Sequence, residues 1–188
     1  MGWMISPLQF TDVFDETVAR RAGQIQDNWF KGPEYTRLFL GHEDGILNEV
    51  RERLGLLHWG AEFLRLDAAY STNPGAGEEY RLALVVEHEN AVGTARWEVR
   101  KLAHIACPLR VLITYPKTPS QGEELLTEYC RLIDAIGMFA SGQLLVVFAN
   151  ENKPTQDTPT GRRATSIEWR YFLFAGSEFL PVNPRRPV

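Results

Sequence analysis

Residues 80–90 read Tyr-Arg-Leu-Ala-Leu-Val-Val-Glu-His-Glu-Asn, and their centre is apolar at every position from Leu82 to Val86. An apolar run of this length indicates a strand that is covered on both faces of a sheet. Because side chains alternate along a strand, Glu87 and Glu89 are expected on one face and His88 on the other. The sequence therefore predicts two carboxylates that emerge together from the end of a buried strand.

A second extended segment precedes this strand. Residues 56–70 alternate in character and carry Asp67 near their end, and residues 71–79, with Asn73-Pro74-Gly75 and Gly77, are typical of a turn. Two strands joined in this way predict an antiparallel hairpin. The hairpin would bring Asp67 to the same end of the sheet as Glu87 and Glu89.

The remainder of the chain alternates helical and extended patterns, which predicts an α/β fold. Helices are expected at 11–30, 45–56, 94–106 and 120–137, and further strands at 109–115, 144–148 and 167–174. A capping box formed by Ser120 and Glu123 is expected to begin the last helix. Residues 150–166 are predicted to form a polar loop, and the residues after 174 an irregular tail.

The acidic residues Asp67, Glu87 and Glu89 suit a divalent cation. Like charges at close spacing repel each other and raise each other's pKa unless a cation lies between them. Hard oxygen donors favour Mg²⁺ or Mn²⁺, which acidify bound water and neutralise the charge that grows on a phosphodiester under attack. The alternative is a solvated strand face, with Asp67 in a local turn hydrogen bond. The apolar run before Glu87 favours the cation, because a carboxylate at a buried edge is costly unless it is paired.

The pattern resembles the PD-(D/E)XK nuclease superfamily, in which an Asp on one strand and (D/E)-X-K on the next are followed by a helix and another strand. The matching segments lie within residues 45–150 and are Arg65-Leu66-Asp67, Glu87-His88-Glu89, the helix around Lys101, and Val111–Tyr115. The resemblance implies a restriction-endonuclease-like mixed central sheet flanked by helices, with Asp67 and Glu87 as metal ligands.

The chain departs from the motif at Glu89, which stands where the superfamily has lysine. Some restriction enzymes of the superfamily are similar in using E-X-E, and in other members the lysine comes from the following helix. The resemblance therefore makes Lys101 the candidate lysine. Glu98 lies three residues before Lys101, so an ordinary surface ion pair between these two side chains is the alternative.

Basic side chains offer candidate phosphate contacts in two regions. Arg96 and Arg100, with Lys101, Arg110 and Lys117 near them in sequence, can form a basic rim, and a solvated helix face is the alternative. Arg162 and Arg163 in the polar loop are candidates to clamp nucleic acid. The tryptophans at 29, 59, 97 and 169 are expected to be core residues.

Chain length, composition and net charge give the remaining predictions about domains, location and partners. A chain of 188 residues with 44% hydrophobic residues predicts one domain over 1–188, with a helical N-terminal extension at 11–30 and a C-terminal strand and tail at 167–188. No membrane span or secretory signal is recognised, and the only two cysteines read as reduced thiols, so a cytoplasmic protein is expected. The net charge of −4 lacks the basic field of a non-specific DNA binder.

Two functions remain open from sequence. The first is a Mg²⁺- or Mn²⁺-dependent nuclease acting on DNA or RNA, with Asp67, Glu87, Glu89 and Lys101 as catalytic residues. The second is a non-catalytic binding or scaffold protein that keeps the nuclease-like fold, and either is compatible with a homodimer. The acidic charge and the missing motif lysine favour the second, whereas the three carboxylates favour the first. The relative positions of these side chains discriminate between them.

Overall fold

A computed structural model describes residues 4–59, 63–72, 80–137, 139–152, 156–159 and 161–183. Its helices are α1 (Pro7–Arg20), α2 (Ala22–Asn28), α3 (Gly32–Leu40), α4 (Ile46–Arg53), α5 (Ala95–Ala103) and α6 (Pro119–Ile136). Its strands are β1 (Leu57–His58), β2 (Ala68–Ser71), β3 (Leu82–Glu89), β4 (Leu109–Thr114), β5 (Gln143–Glu151), β6 (Gln156–Thr158), β7 (Gly161–Arg163), β8 (Ile167–Phe174) and β9 (Phe179–Val182). The predicted turn at Asn73 to Gly77 lies outside these residues.

Seven of these strands form one mixed sheet in the order β1-β2-β3-β4-β5-β8-β9. The central strands β3, β4 and β5 run parallel, while the pairings β1–β2, β2–β3, β5–β8 and β8–β9 are antiparallel. The prediction of an α/β protein with a mixed central sheet and flanking helices is confirmed at this level. The predicted antiparallel pairing of the strand that follows Asp67 with the strand of Glu87 and Glu89 is also confirmed.

Helices cover both faces of the sheet. On one face α1 to α4 bury residues such as Phe10, Phe14 and Phe39 against Val86 of β3. On the other face α5 and α6 pack on Val85 and its neighbours, with the core residues Val99, Leu102, Leu125, Tyr129 and Ile133. Alternation along β3 therefore places Glu87 on the α5 and α6 face and His88 on the opposite face, as predicted.

The helical regions follow the predicted pattern with corrections at their ends. The predicted helix at 11–30 begins earlier, where Ser6 and Gln9 form a capping box, and it is interrupted at Arg21. The predicted capping box at Ser120 is wrong, because Thr118 caps α6 by accepting a hydrogen bond from the Gln121 backbone N–H. No helix in the ranges given above combines the length and the apolar composition needed to cross a membrane.

The predicted continuous strand at 56–70 is wrong in its middle. Residues Phe63–Arg65 form a 3₁₀ turn in which Leu64 and Arg65 both have positive φ, at 53° and 58°. The predicted loop at 150–166 contains the end of β5 and the β6–β7 hairpin, and the predicted irregular tail contains β9. The turn at Phe63–Arg65 directly precedes Asp67 and shapes the site described next.

Candidate active site

The carboxyl groups of Asp67 and Glu87 meet at the end of the β2–β3 pair. Ala68 lies opposite Val86 in the antiparallel register, so Asp67 and Glu87 stand one step beyond the last pair. The Asp67 Oδ2 accepts a hydrogen bond from the His88 backbone N–H at 2.8 Å. This side-chain hydrogen bond takes the place of the next backbone hydrogen bond between the two strands. The nearby Asp67 carboxyl also acts electrostatically on Glu87 and raises its pKa. Glu87 is only 2% exposed, whereas Asp67 faces solvent, so a cation can reach the pair through Asp67.

Lys101 of α5 completes this group from the next element. Its Nζ donates to Glu87 Oε1 at 2.6 Å and to the Arg65 carbonyl oxygen at 3.0 Å, and it forms an ion pair with Glu98 Oε2 at 2.5 Å. The ion pair between Lys101 and Glu98 that the sequence left open therefore exists. It is joined to a buried contact with Glu87, so Lys101 is more than a surface partner of Glu98.

The local backbone helps to place Lys101. Left-handed φ values at residues other than glycine are uncommon and cost about 1 kcal/mol or more each, and such strain gathers at functional sites. Leu64 and Arg65 both adopt this conformation. The turn presents the Arg65 carbonyl oxygen to the Lys101 ammonium. The same turn sets the position of Asp67, two residues further on.

The electrostatics of the group favour a bound proton or cation. Burial raises the pKa of Glu87, and the nearby Asp67 and Glu98 carboxyls raise it further, while the Lys101 hydrogen bond opposes this. Partial burial of the Asp67 carboxyl raises its pKa as well, against the hydrogen bond from His88. Burial lowers the pKa of Lys101, but its hydrogen bond to Glu87 and its ion pair with Glu98 outweigh this and leave the pKa raised. The single Lys101 ammonium thus interacts with three carboxyl groups, those of Asp67, Glu87 and Glu98.

Glu89 lies on the same strand face as Glu87 but makes different contacts. Its Oε1 accepts a hydrogen bond from the Ala91 backbone N–H at 2.7 Å, within the turn after β3. The charges that influence the pKa of Glu87 are those of Asp67, Glu98 and Lys101. The charge of Glu89 instead contributes to the raised pKa of Tyr129 of α6. The structure therefore brings Asp67, Glu87 and Lys101 together, adds Glu98, and holds Glu89 in a turn.

The carboxyl groups at this end of the sheet can be compared with the ligands that metal ions require. Among the side chains that the structure describes, no group of three or more His, Cys, Asp or Glu is arranged to hold a metal ion. Mg²⁺ is commonly bound by one or two carboxylates and keeps the rest of its shell for water and substrate phosphate. Asp67 and Glu87, each one step beyond the Ala68–Val86 pair, are two carboxylates at the same end of the sheet. Two carboxylates are thus the donors that this end of the sheet offers to a cation.

His88 stabilises the opposite side of β3. Its ring stacks on Phe39 with centroids 4.6 Å apart, and its Nε2 is 2.5 Å from the Tyr115 hydroxyl oxygen. Burial lowers the pKa of His88 to about 3, so the ring is neutral. His88 thus anchors the strand whose backbone N–H holds Asp67.

The arginines of α5 flank an exposed tryptophan. Arg96 and Arg100 lie over the Trp97 ring, with guanidinium carbons 5.2 and 5.3 Å from the ring centroid. Trp97 is 52% exposed, so the expectation that it is a core residue is wrong. Arg110 does not belong to a basic rim, because it is fully buried and donates to backbone carbonyl oxygens, including that of Gly142 at 2.8 Å.

Arg162 and Arg163 lie elsewhere, in β7 beside α2. The Arg162 guanidinium is 4.9 Å from the Phe30 ring centroid, and Arg163 pairs with Asp27 at 2.8 Å. Together with Lys31 and Thr158, Asp27 and the two arginines line a cavity of about 320 Å³. Since α2 and α5 cover opposite faces of the sheet, these arginines and those of α5 belong to separate surfaces.

Glu98 was not predicted from the sequence as a member of the site, and Trp97 was not predicted as a surface residue. Both were visible in the helical periodicity of α5, because Val99 and Leu102 define its buried face and place Trp97, Glu98 and Lys101 away from it. No protein-family model matches the chain, and a search of curated proteins finds no match.

Proposed function

We propose that this protein is a divalent-metal-dependent, nuclease-like hydrolase that acts on phosphodiester bonds of nucleic acid and has a restriction-endonuclease-like fold. The observation that carries the proposal is the Lys101 ammonium bound to Glu87 at the end of a buried strand, beside Asp67, whose carboxyl group the His88 backbone N–H holds. Two carboxylates and one cationic donor are the groups that a phosphate reaction of this class needs.

The arrangement of the surrounding elements supports the same proposal. Asp67 directly precedes β2, Glu87 lies on the antiparallel neighbour β3, and α5 then leads to β4, which pairs with β3 in parallel. This is the order of elements that carries the active site in the superfamily the sequence resembles. Lys101 comes from the helix after the second strand, as the lysine does in some of its members.

Each side chain has a distinct role in the proposed reaction. Asp67 and Glu87 would hold Mg²⁺ or Mn²⁺, and the bound ion would supply an acidified water and neutralise charge on the phosphate. Lys101, held on Glu87 and Glu98, presents its ammonium to charge that develops on the phosphate oxygens. The His88 backbone N–H holds one Asp67 oxygen and so fixes the orientation of the carboxyl group.

The raised pKa of Glu87 implies competition between protons and metal. A carboxyl group must lose its proton before it binds a cation, so metal binding releases protons and strengthens as the pH rises. Burial is the main cause of the raised pKa of Glu87. The proposed site therefore binds metal more tightly in mildly alkaline than in mildly acidic solution.

A non-catalytic scaffold is the second candidate, and one observation favours it. Lys101 already contacts oxygens of Glu87, Glu98 and Arg65, a set of contacts that holds α5 to the end of β3 without any ligand. In that case the group would serve stability alone. Loss of Lys101 would then weaken the fold, and no nucleic acid would be cut.

A cleavage assay separates the two candidates. Purified protein is incubated with plasmid, single-stranded DNA and RNA in Mg²⁺, in Mn²⁺ and in a chelator. The proposal predicts metal-dependent cleavage that Asp67→Asn and Glu87→Gln each abolish, whereas Glu124→Gln, a change at an exposed position of α6, leaves the rate unchanged. Lys101→Ala should cost about 2–4 kcal/mol in the barrier, as expected for one electrostatic donor. Wild-type protein that cuts none of the substrates would favour the scaffold.

A further inference from the structure

The polar side of α5 carries an aromatic ring that the fold does not bury. Trp97 is 52% exposed, while Val99 and Leu102 on the other side of the helix are fully buried. Transfer of a tryptophan ring from water to a protein core is strongly favourable, and a ring that stays in water does not gain this free energy. Packing of this fold therefore does not account for an indole at this position.

Two cations lie over the same ring. The guanidinium carbons of Arg96 and Arg100 are within 5.3 Å of the Trp97 centroid, and both arginines are exposed. Arg96 stands in the first turn of α5, where the helix dipole disfavours a positive charge. Two positive charges close to one ring attract an anion, in contrast to the net charge of −4 for the whole chain.

This cluster adjoins the candidate active site. At 3.6 residues per turn, Trp97 and Lys101 point in directions only about 40° apart around the helix axis. Lys101 contacts Glu87, so the ring lies one helical turn before the ammonium that reaches the carboxylates. A polymer bound at the carboxylates is thereby brought to the Trp97 ring.

We propose that Trp97, with Arg96 and Arg100, is a stacking platform for a base of single-stranded nucleic acid, with the arginines contacting its phosphates. The proposal rests on the proposed function and names the substrate class of the same site. Base–aromatic stacking needs an exposed base face, which a single strand offers and a continuous duplex conceals. Arginine on the same ring adds phosphate contacts that do not depend on sequence.

Binding measurements without metal test this directly. Fluorescence anisotropy is recorded with a labelled single strand of about 12 nucleotides, within the site sizes of single-strand binders, and with the duplex of the same sequence. Trp97→Ala should lower single-strand affinity about 10-fold, the loss expected for one stacked base, and should change duplex affinity much less. Trp97→Phe should restore most of the loss. Arg96→Gln with Arg100→Gln should flatten the salt dependence.

Matched variants and cleavage data make the outcomes distinct. Tyr80→Ala removes another exposed aromatic side chain, and Arg131→Gln another exposed arginine, and neither should change the affinity. Unchanged single-strand affinity in Trp97→Ala, or no single-strand binding by the wild type, would overturn the inference, even if cleavage depends on Asp67 and Glu87. Binding through Trp97 without any cleavage would instead uphold it and count against the proposed hydrolase.

Discussion

Replacing Lys101 by methionine should destabilise the protein in a pH-dependent way. The change keeps most of the side-chain length and removes the ammonium that contacts Glu87, whose side chain is 3% exposed. Breaking a buried pair on one side costs about 3–5 kcal/mol, and because Lys101 is itself 30% exposed we expect about 2 kcal/mol near pH 9.5, above the raised pKa of Glu87. Near pH 5 the buried carboxyl can take up a proton, so the cost should fall to about 1 kcal/mol.

Urea unfolding of the metal-free protein measures this change. The wild type, Lys101→Met, Glu87→Gln and the double variant form a thermodynamic cycle, in which the coupling near pH 9.5 should be about 1–2 kcal/mol. Lys31→Met, at an exposed position before α3, is the matched control and should stay within about 0.5 kcal/mol of wild type. Equal costs of Lys101→Met at both pH values, or a coupling near zero, would refute the pairing of Lys101 with a buried Glu87.

Three further predictions concern pH, the core and the distant arginines. Burial raises the pKa of Glu87 in the folded protein from 4.5 to about 8. Its contribution to stability should therefore be fully present below pH 4.5 and be lost as the pH rises through about 8. Glu87→Gln should flatten this decline in urea unfolding, and an equal slope in the variant would contradict the prediction. Arg110→Met should lower the free energy of unfolding by about 3 kcal/mol or more, because it leaves buried carbonyl oxygens without their charged donor, and a loss below about 1 kcal/mol in chemical denaturation would count against this. Arg162→Ala and Arg163→Ala, on a surface separate from that of α5, should leave the maximal cleavage rate unchanged and can affect only the binding of nucleic acid and its salt dependence, and a lower rate at saturating substrate would show that they act in the chemical step.

The parts of the fold that follow from periodicity were predictable from sequence. The apolar run of Leu82 to Val86 defines β3, and alternation along it correctly separates Glu87 from His88. The edge strand β9 was missed because Pro181 argues against a strand, although an edge position tolerates proline. The turn at Leu64 and Arg65 was missed because positive φ is signalled by glycine, and neither residue is one.

The candidate site was predictable only in part, since it depends on where side chains turn after the strands end. The hairpin brings Asp67 to Glu87 as expected. Alternation alone placed Glu89 with them, but the Ala91 backbone N–H engages its carboxyl group in a turn. Glu98 enters the site through the packing of α5 against the sheet, a tertiary contact that no local pattern in the strands specifies.

The most direct test of the proposed metal site is a titration of the protein with Mn²⁺, in which electron paramagnetic resonance measures the free ion. The wild type should bind one Mn²⁺ per chain, more tightly near pH 8 than near pH 6, because protons compete for Glu87. Asp67→Asn and Glu87→Gln should lose this binding. Glu89→Gln should retain most of it, because the glutamine carbonyl can still accept the hydrogen bond from Ala91. Binding that is absent in the wild type, or unchanged in Glu87→Gln, would contradict a metal site formed by Asp67 and Glu87.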